Sequence, residues 1–200
     1  MGRTSDSRER IVRASARLFL SRSYGAVSVD ELCAAADVRK GSFYYFFPSK
    51  AELAKAVIDL HTDGLFAQLS AAPGASAAER LRGVADAVGA IQTRFESKYG
   101  RIVGCPFGNL AAELSTVDDE LREHLASTFA RWEREFAVVC HQARADGALR
   151  EGVDPDRLAH SLLALAQGQI LLAKVANLSA ASISAALREH IDVHLREGVA

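Results

Sequence analysis

Residues 38–50, VRKGSFYYFFPSK, set five consecutive aromatic side chains, Phe43 to Phe47, directly behind an Arg-Lys-Gly-Ser. On a helix turning about 100° per residue the row divides into two faces. Phe43, Phe46 and Phe47 fall together and are expected to pack inward. Lys40, Gly41, Tyr44 and Tyr45 share the opposite side. A cation, a glycine that lets another backbone come close and two hydroxyl-tipped rings suit a duplex groove and its phosphates. The plainer alternative is that the tyrosines cap a hydrophobic cluster and Lys40 is an ordinary solvated charge.

Working outward, the apolar periodicity predicts a helix over 29–35, joined to the aromatic helix by the short turn Ala36-Asp37-Val38. That spacing is expected of a helix-turn-helix whose second helix reads DNA. Ser28 with Glu31 and Ser49 with Glu52 have the spacing of capping boxes, so two helix N-termini lie beside the same face. Lys50 adds a cation there. The candidate DNA-contacting residues are Ser28, Arg39, Lys40, Gly41, Ser42, Tyr44, Tyr45 and Lys50. A first helix over about 7–23 presents Ile11, Ala14, Leu18 and Phe19 inward and Arg10, Arg13 and Arg17 outward. Asp6 with Glu9 is expected to cap its start, and Gly25 to close it in a left-handed conformation.

Charge is distributed to match. Residues 1–50 hold nine Lys/Arg against five Asp/Glu, a net +4, which leaves −5 for the rest of a chain whose total is −1. A basic front module on an acidic body is the expectation. Three cysteines, without metal-site spacing and with no signal sequence ahead of them, predict a reducing cytoplasmic setting and no disulfide framework. The most apolar run, Leu158–Leu178, is interrupted by His160, Gln167, Gln169 and Lys174, and is expected to be a buried helix rather than a membrane span.

Beyond Pro73-Gly74 the pattern is helical throughout. Helices are predicted from Lys50 to about Ser70, from Ala77 to about Lys98, from about Asn109 to Leu114, from Asp119 to Ala145, from Asp154-Pro155 onward, and from about Ala181 to Arg196. The fold class is therefore all-α, with a three-helix module at 1–48 and a larger helical body at 49–200. In the body, Leu158, Leu162, Leu165, Gln169 and Leu172 form one stripe, and Leu163, Gln167, Ile170 and Lys174 another around Gly168. A helix apolar on two sides needs two partners.

The stretch RERIVRASARLFLSRSYGAVSVDELCAAADVRKGSFYYFFPSKAELAKAVI resembles the DNA-binding domain of the tetracycline-repressor (TetR) family of bacterial regulators. The likeness lies in Phe19 to Ser28, the Lys40-Gly41 start, Tyr44, and the exit from Phe47 to Lys50. Asp37 stands where the family has a turn glycine, Arg39 where Ser or Thr is common, and Phe46 where a phosphate-binding His often sits. The resemblance implies a cytoplasmic transcriptional regulator, most often a repressor, that binds a pseudo-palindromic operator as a homodimer. It also implies a C-terminal domain that binds a small-molecule effector and pairs two copies through its last two long helices.

A second stretch, GCPFGNLAAELS, resembles a subgroup of that family with Gly-Cys-x-x-Gly-Asn-Leu, which includes electrophile sensors. Cys105 precedes a helix N-terminus, whose dipole favours a thiolate; the alternative is a small buried hydrophobe. Leu125, Phe129, Trp132, Phe136 and Val139 form a stripe that is either core or the wall of an apolar pocket. The candidate effector-contacting residues are Tyr99, Cys105, Phe107, Asn109, Phe129, Trp132 and Gln169. Cys33 and Cys140 are expected to be structural. His190 and His194, four apart, have no third ligand to make a metal site. No nucleophile-base constellation, phosphate loop or carboxylate pair is recognisable, so neither an enzyme, a cofactor nor a metal is expected. The rivals are a cysteine-dependent enzyme acting on small electrophiles through Cys105, and an interaction module that has lost DNA binding.

Overall fold

The computed structural model describes residues 2–66 and 75–196, with side chains described from 6 to 62 and from 75 to 196. These residues form helices α1 Gly2–Arg22, α2 Val29–Ala36, α3 Lys40–Phe46, α4 Lys50–Phe66, α5 Ala77–Tyr99, α6 Pro106–Leu114, α7 Asp119–Ala145, α8 Pro155–Ala176 and α9 Ala180–His194. No β-strand occurs among them, only an isolated antiparallel bridge between Leu149 and Leu195. The expected all-α class is met.

The caps explain most of the boundaries. Ser28 and Ser76 each accept a bond from the backbone N–H three residues on, while Glu31 and Glu79 reach back to the cap amide. Asp154 accepts from the N–H groups of Asp156 and Arg157, with Pro155 at the first helical position. Two expectations fail at α1. The helix begins at Gly2, so Asp6 lies inside it and pairs with Arg10 one turn on, at 3.8 Å, instead of capping. The left-handed residue after α1 is Ser23, φ +83°, not Gly25. Helix α6 also starts earlier than expected, because Pro106 fits the first turn with Cys105 as its cap residue. The predicted end of α4 near Ser70 and the turn at Glu197-Gly198 lie outside the described residues.

The chain divides into two compact units that do not follow chain order. The first is Met1–Gly64 with Cys105–Thr128, so it takes in α4, α6 and the start of α7 beyond the three helices expected at 1–48. Its core is built from Ile11, Phe19, Leu32, Phe43, Phe47, Leu53, Ile58, Phe107, Leu121 and Leu125. Lys55 bridges Glu52 and Glu120 at 2.8 Å each, and His124 Nε2 lies 2.9 Å from Asp59, tying α4 to α7.

The second unit is Leu65–Gly104 with Phe129–Ala200. In it α5 packs along α9, closest at Gly89, where a Cβ would come within 2.8 Å of Ser184 Cβ. Glycine is required there by proximity. Arg82 to Asp192 at 2.7 Å and Arg188 to Asp86 link the same two helices. Helix α8 is long and apolar enough to cross a membrane by length and composition, and only 33% of its apolar window is buried, Leu158, Leu162, Ala166 and Ile170 among it, so the expected buried helix is buried on one face only.

Candidate nucleic-acid interface

Helix α2 ends in a turn made by Asp37, whose backbone is left-handed at φ 52°, ψ 55°. An aspartate tolerates this conformation, as expected where the turn lacks glycine. Its N–H and that of Val38 return to carbonyls of the last turn of α2, at 3.2 Å to Ala34 and 3.0 Å to Cys33. The chain is thereby reversed into α3 within three residues. Arg39 sits at the N-cap of α3 with no side-chain cap bond, and is exposed.

The two faces of α3 separate as the periodicity predicts, with one adjustment. Phe43 and Phe47 are buried and their rings lie 6.1 Å apart. Phe46 is only half-buried and stands edge-on to Tyr45 at 4.9 Å. The outer face carries Lys40, Gly41, Tyr44 and Tyr45, all exposed, with Ser42 half-buried beside them. A Cβ on Gly41 would meet nothing within 4 Å. The fold itself therefore does not need glycine there.

Polar partners set the electrostatics of this face. Lys40 Nζ lies 2.8 Å from Asp30 Oδ1, and that hydrogen bond raises the pKa of the ammonium. Asp30 was not singled out by the sequence, and no local pattern marks it. Ser28, exposed at the start of α2, closes a capping box in which Glu31 takes 2.8 Å bonds from both its backbone N–H and its hydroxyl. The backbone bond, the hydroxyl and Arg22 at 2.8 Å bring the Glu31 carboxyl down to about 2.

Lys50 is placed differently from its expected role as a phosphate cation. Its Nζ donates to the Tyr24 carbonyl at 2.5 Å and lies 4.1 Å from the Tyr24 ring centroid. Burial lowers its pKa, opposed by the charges of Glu113 and Glu31. It pins α4 to the connection between α1 and α2.

The candidate effector residues fall in both units. Cys105, Phe107 and Asn109 belong to the first, Tyr99, Phe129, Trp132 and Gln169 to the second. Phe107 is fully buried, edge-on to His61 at 6.4 Å, and Asn109 is half-exposed. Trp132 is buried against Phe136, with ring centroids 5.8 Å apart, while Tyr99, Phe129 and Gln169 are partly exposed. In α8 the end of one expected stripe is bare, since Leu172 is exposed, as are Leu171 and Val175 near it and Leu178 just beyond the helix. Burial raises the thiol pKa of Cys33, and pushes that of Cys140 up to about 12 with help from the charge of Asp156.

Two family models match the chain. One, described as bacterial regulatory proteins of the tetR family, covers residues 11–57, and the other, described as the tetracyclin repressor-like C-terminal domain, covers 77–190. The transcriptional regulator AcuR of Cereibacter sphaeroides is 34% identical over 177 residues, spanning 82% of this chain and 75% of AcuR. The HTH-type transcriptional repressor DhaR of a Mycobacterium species is 32% identical over 168 residues, spanning 84% of this chain and 82% of DhaR. A crystal structure of a regulatory protein TetR from Rhodobacter sphaeroides superposes with a TM-score of 0.81 at 29% identity, covering 94% of this chain and 98% of the other.

Proposed function

This chain belongs to the tetracycline-repressor (TetR) family of transcriptional regulators, and from that premise we propose that it is a cytoplasmic repressor that binds a pseudo-palindromic operator as a homodimer and leaves it when a small molecule occupies the C-terminal domain. The observation that carries the reading is the division of α3. Phe43 and Phe47 are buried, while Lys40, Gly41, Tyr44 and Tyr45 are exposed on the opposite face. Lys40 and Arg39 meet phosphate or a guanine edge, the tyrosines reach base edges and sugar-phosphate, and Ser28 and Ser42 flank them. Two copies related by a two-fold axis set their reading helices roughly 34 Å apart, one turn of DNA.

Duplexes selected from a random pool by the purified protein supply the test. With the selected duplex, Lys40→Ala and Tyr44→Phe are each expected to cost roughly 1–3 kcal/mol of binding, and Lys40→Ala to lower the salt slope by about one. Unchanged affinity and slope in both would remove α3 as the reader. The effector step is a population shift toward a dimer whose reading helices no longer match successive major grooves. Within the second unit, Tyr99, Phe129, Trp132 and Gln169 are the residues assigned to the effector.

A second reading gives Cys105 the role of electrophile sensor, and it is favoured by its place in the chain: all three thiols are buried, but Cys105 alone stands at the N-cap position of a helix, the nine-residue α6, where the dipole favours a thiolate. Under a limiting dose of iodoacetamide, peptide mapping is expected to find Cys105 alkylated first. Earlier modification of Cys33 or Cys140 refutes the sensor. Turnover of more than one equivalent of an electrophile would favour the enzyme instead.

A further inference from the structure

We propose that Glu113, on α6, is the positioning residue through which α6 and the DNA-reading helices sense one another; the proposal rests on the DNA-binding role given above. Glu113 Oε1 accepts from the Tyr24 N–H at 3.2 Å and its Oε2 from the Gly25 N–H at 2.9 Å. Both oxygens of one carboxylate thus hold two consecutive amides across 88 and 89 residues of chain. Such charge-assisted pairs are stronger than neutral ones and have a fixed direction.

The position of those amides makes the contact consequential. Helix α1 ends at Arg22, and the left-handed Ser23 turns the chain out of it. In the connection to α2, the Ser23 N–H returns to Phe19, the Ala26 N–H reaches the Ser23 hydroxyl at 3.4 Å, and the Val27 N–H reaches the Tyr24 carbonyl at 3.3 Å. The Tyr24 and Gly25 amides are the ones that go to α6. Lys50 holds the Tyr24 carbonyl from the other side, so this residue is gripped by α4 and α6 together. Arg22 then bonds the Ala26 carbonyl at 3.3 Å and Glu31 at 2.8 Å, carrying the position of the connection into the first turn of α2. Helix α2 in turn sets α3 through the tight Asp37 turn. A displacement of α6 of about one hydrogen-bond length therefore unseats the connection that orients both helices of the reading pair.

Coupling of this kind is reciprocal: if the state of α6 changes DNA affinity, bound DNA must change the state of α6 by the same factor. Hydrogen–deuterium exchange on the full-length protein reads this directly. Adding the selected duplex is expected to slow exchange of the amides in 110–114 by at least about fivefold, although α6 is not part of the reading face. In Glu113→Gln that DNA-dependent slowing is expected to vanish while duplex binding persists, and without DNA the Tyr24 and Gly25 amides should exchange about tenfold faster. A wild-type α6 indifferent to duplex overturns the proposal whether or not the variant folds. A folded Glu113→Gln that keeps the slowing, or keeps Tyr24 and Gly25 protected, also overturns it. A random pool that yields no bound duplex defeats the DNA-binding role itself, and with it this inference.

Discussion

Phe43→Ala is expected to unfold the DNA-reading unit, at a cost of about 3–5 kcal/mol as the truncation of a fully buried aromatic. Phe43 is wholly inaccessible to solvent, edge-on to Tyr44 at 5.2 Å and beside Phe47. Operator binding should be lost with the fold. The measurement must report on the right unit, because the single tryptophan, Trp132, lies in the second unit and its fluorescence follows a different body. Exchange protection of amides in 29–47 during a urea titration is the direct readout. Tyr45→Ala, at a side chain 75% exposed, is the control, and should change stability by less than about 0.5 kcal/mol. Equal stability of Phe43→Ala and Tyr45→Ala would mean that the two faces of α3 have been assigned the wrong way round.

The second large effect concerns assembly. Leu172→Asp combined with Val175→Asp is expected to leave each chain folded, since these side chains are 59% and 77% exposed on it, and to abolish the dimer. With Leu171, and with Leu178 just beyond the helix, they form an apolar surface at the end of α8, and burying each fully would contribute about 1.5–3 kcal/mol. Sedimentation should show a monomer. Affinity for the full pseudo-palindrome should fall by at least about a hundredfold, because two linked half-site contacts become one, whereas affinity for an isolated half-site should hold. A double variant that remains dimeric would place the interface elsewhere.

Legibility followed the range of the interaction. The capping box at Ser28, the Asp154-Pro155 start and the left-handed Asp37 could be read from residues at most five apart, and each stands where expected. Errors arose where a local signal had a competitor. The Asp6-Glu9 spacing suits a cap, but nothing before it stops the helix, so Asp6 pairs with Arg10 inside α1. Gly25 suits a left-handed cap, yet the chain leaves α1 two residues earlier at Ser23. The α8 stripes were half right for a similar reason: Leu158 and Leu162 meet the second unit, while periodicity alone does not say where that neighbour ends and Leu172 becomes bare.

Residues within about four positions of one another meet on a helix whatever the rest of the chain does, and for that reason the sequence by itself determined the helices, the caps at Ser28 and Asp154 and the two faces of VRKGSFYYFFPSK. The Asp30 partner of Lys40, the turn of Lys50 toward Tyr24 and the grip of Glu113 on the Tyr24 and Gly25 amides were decided only by the tertiary structure. Which polar partner comes within hydrogen-bonding distance, across as many as 89 residues, depends on the path of the whole chain, which no local pattern encodes.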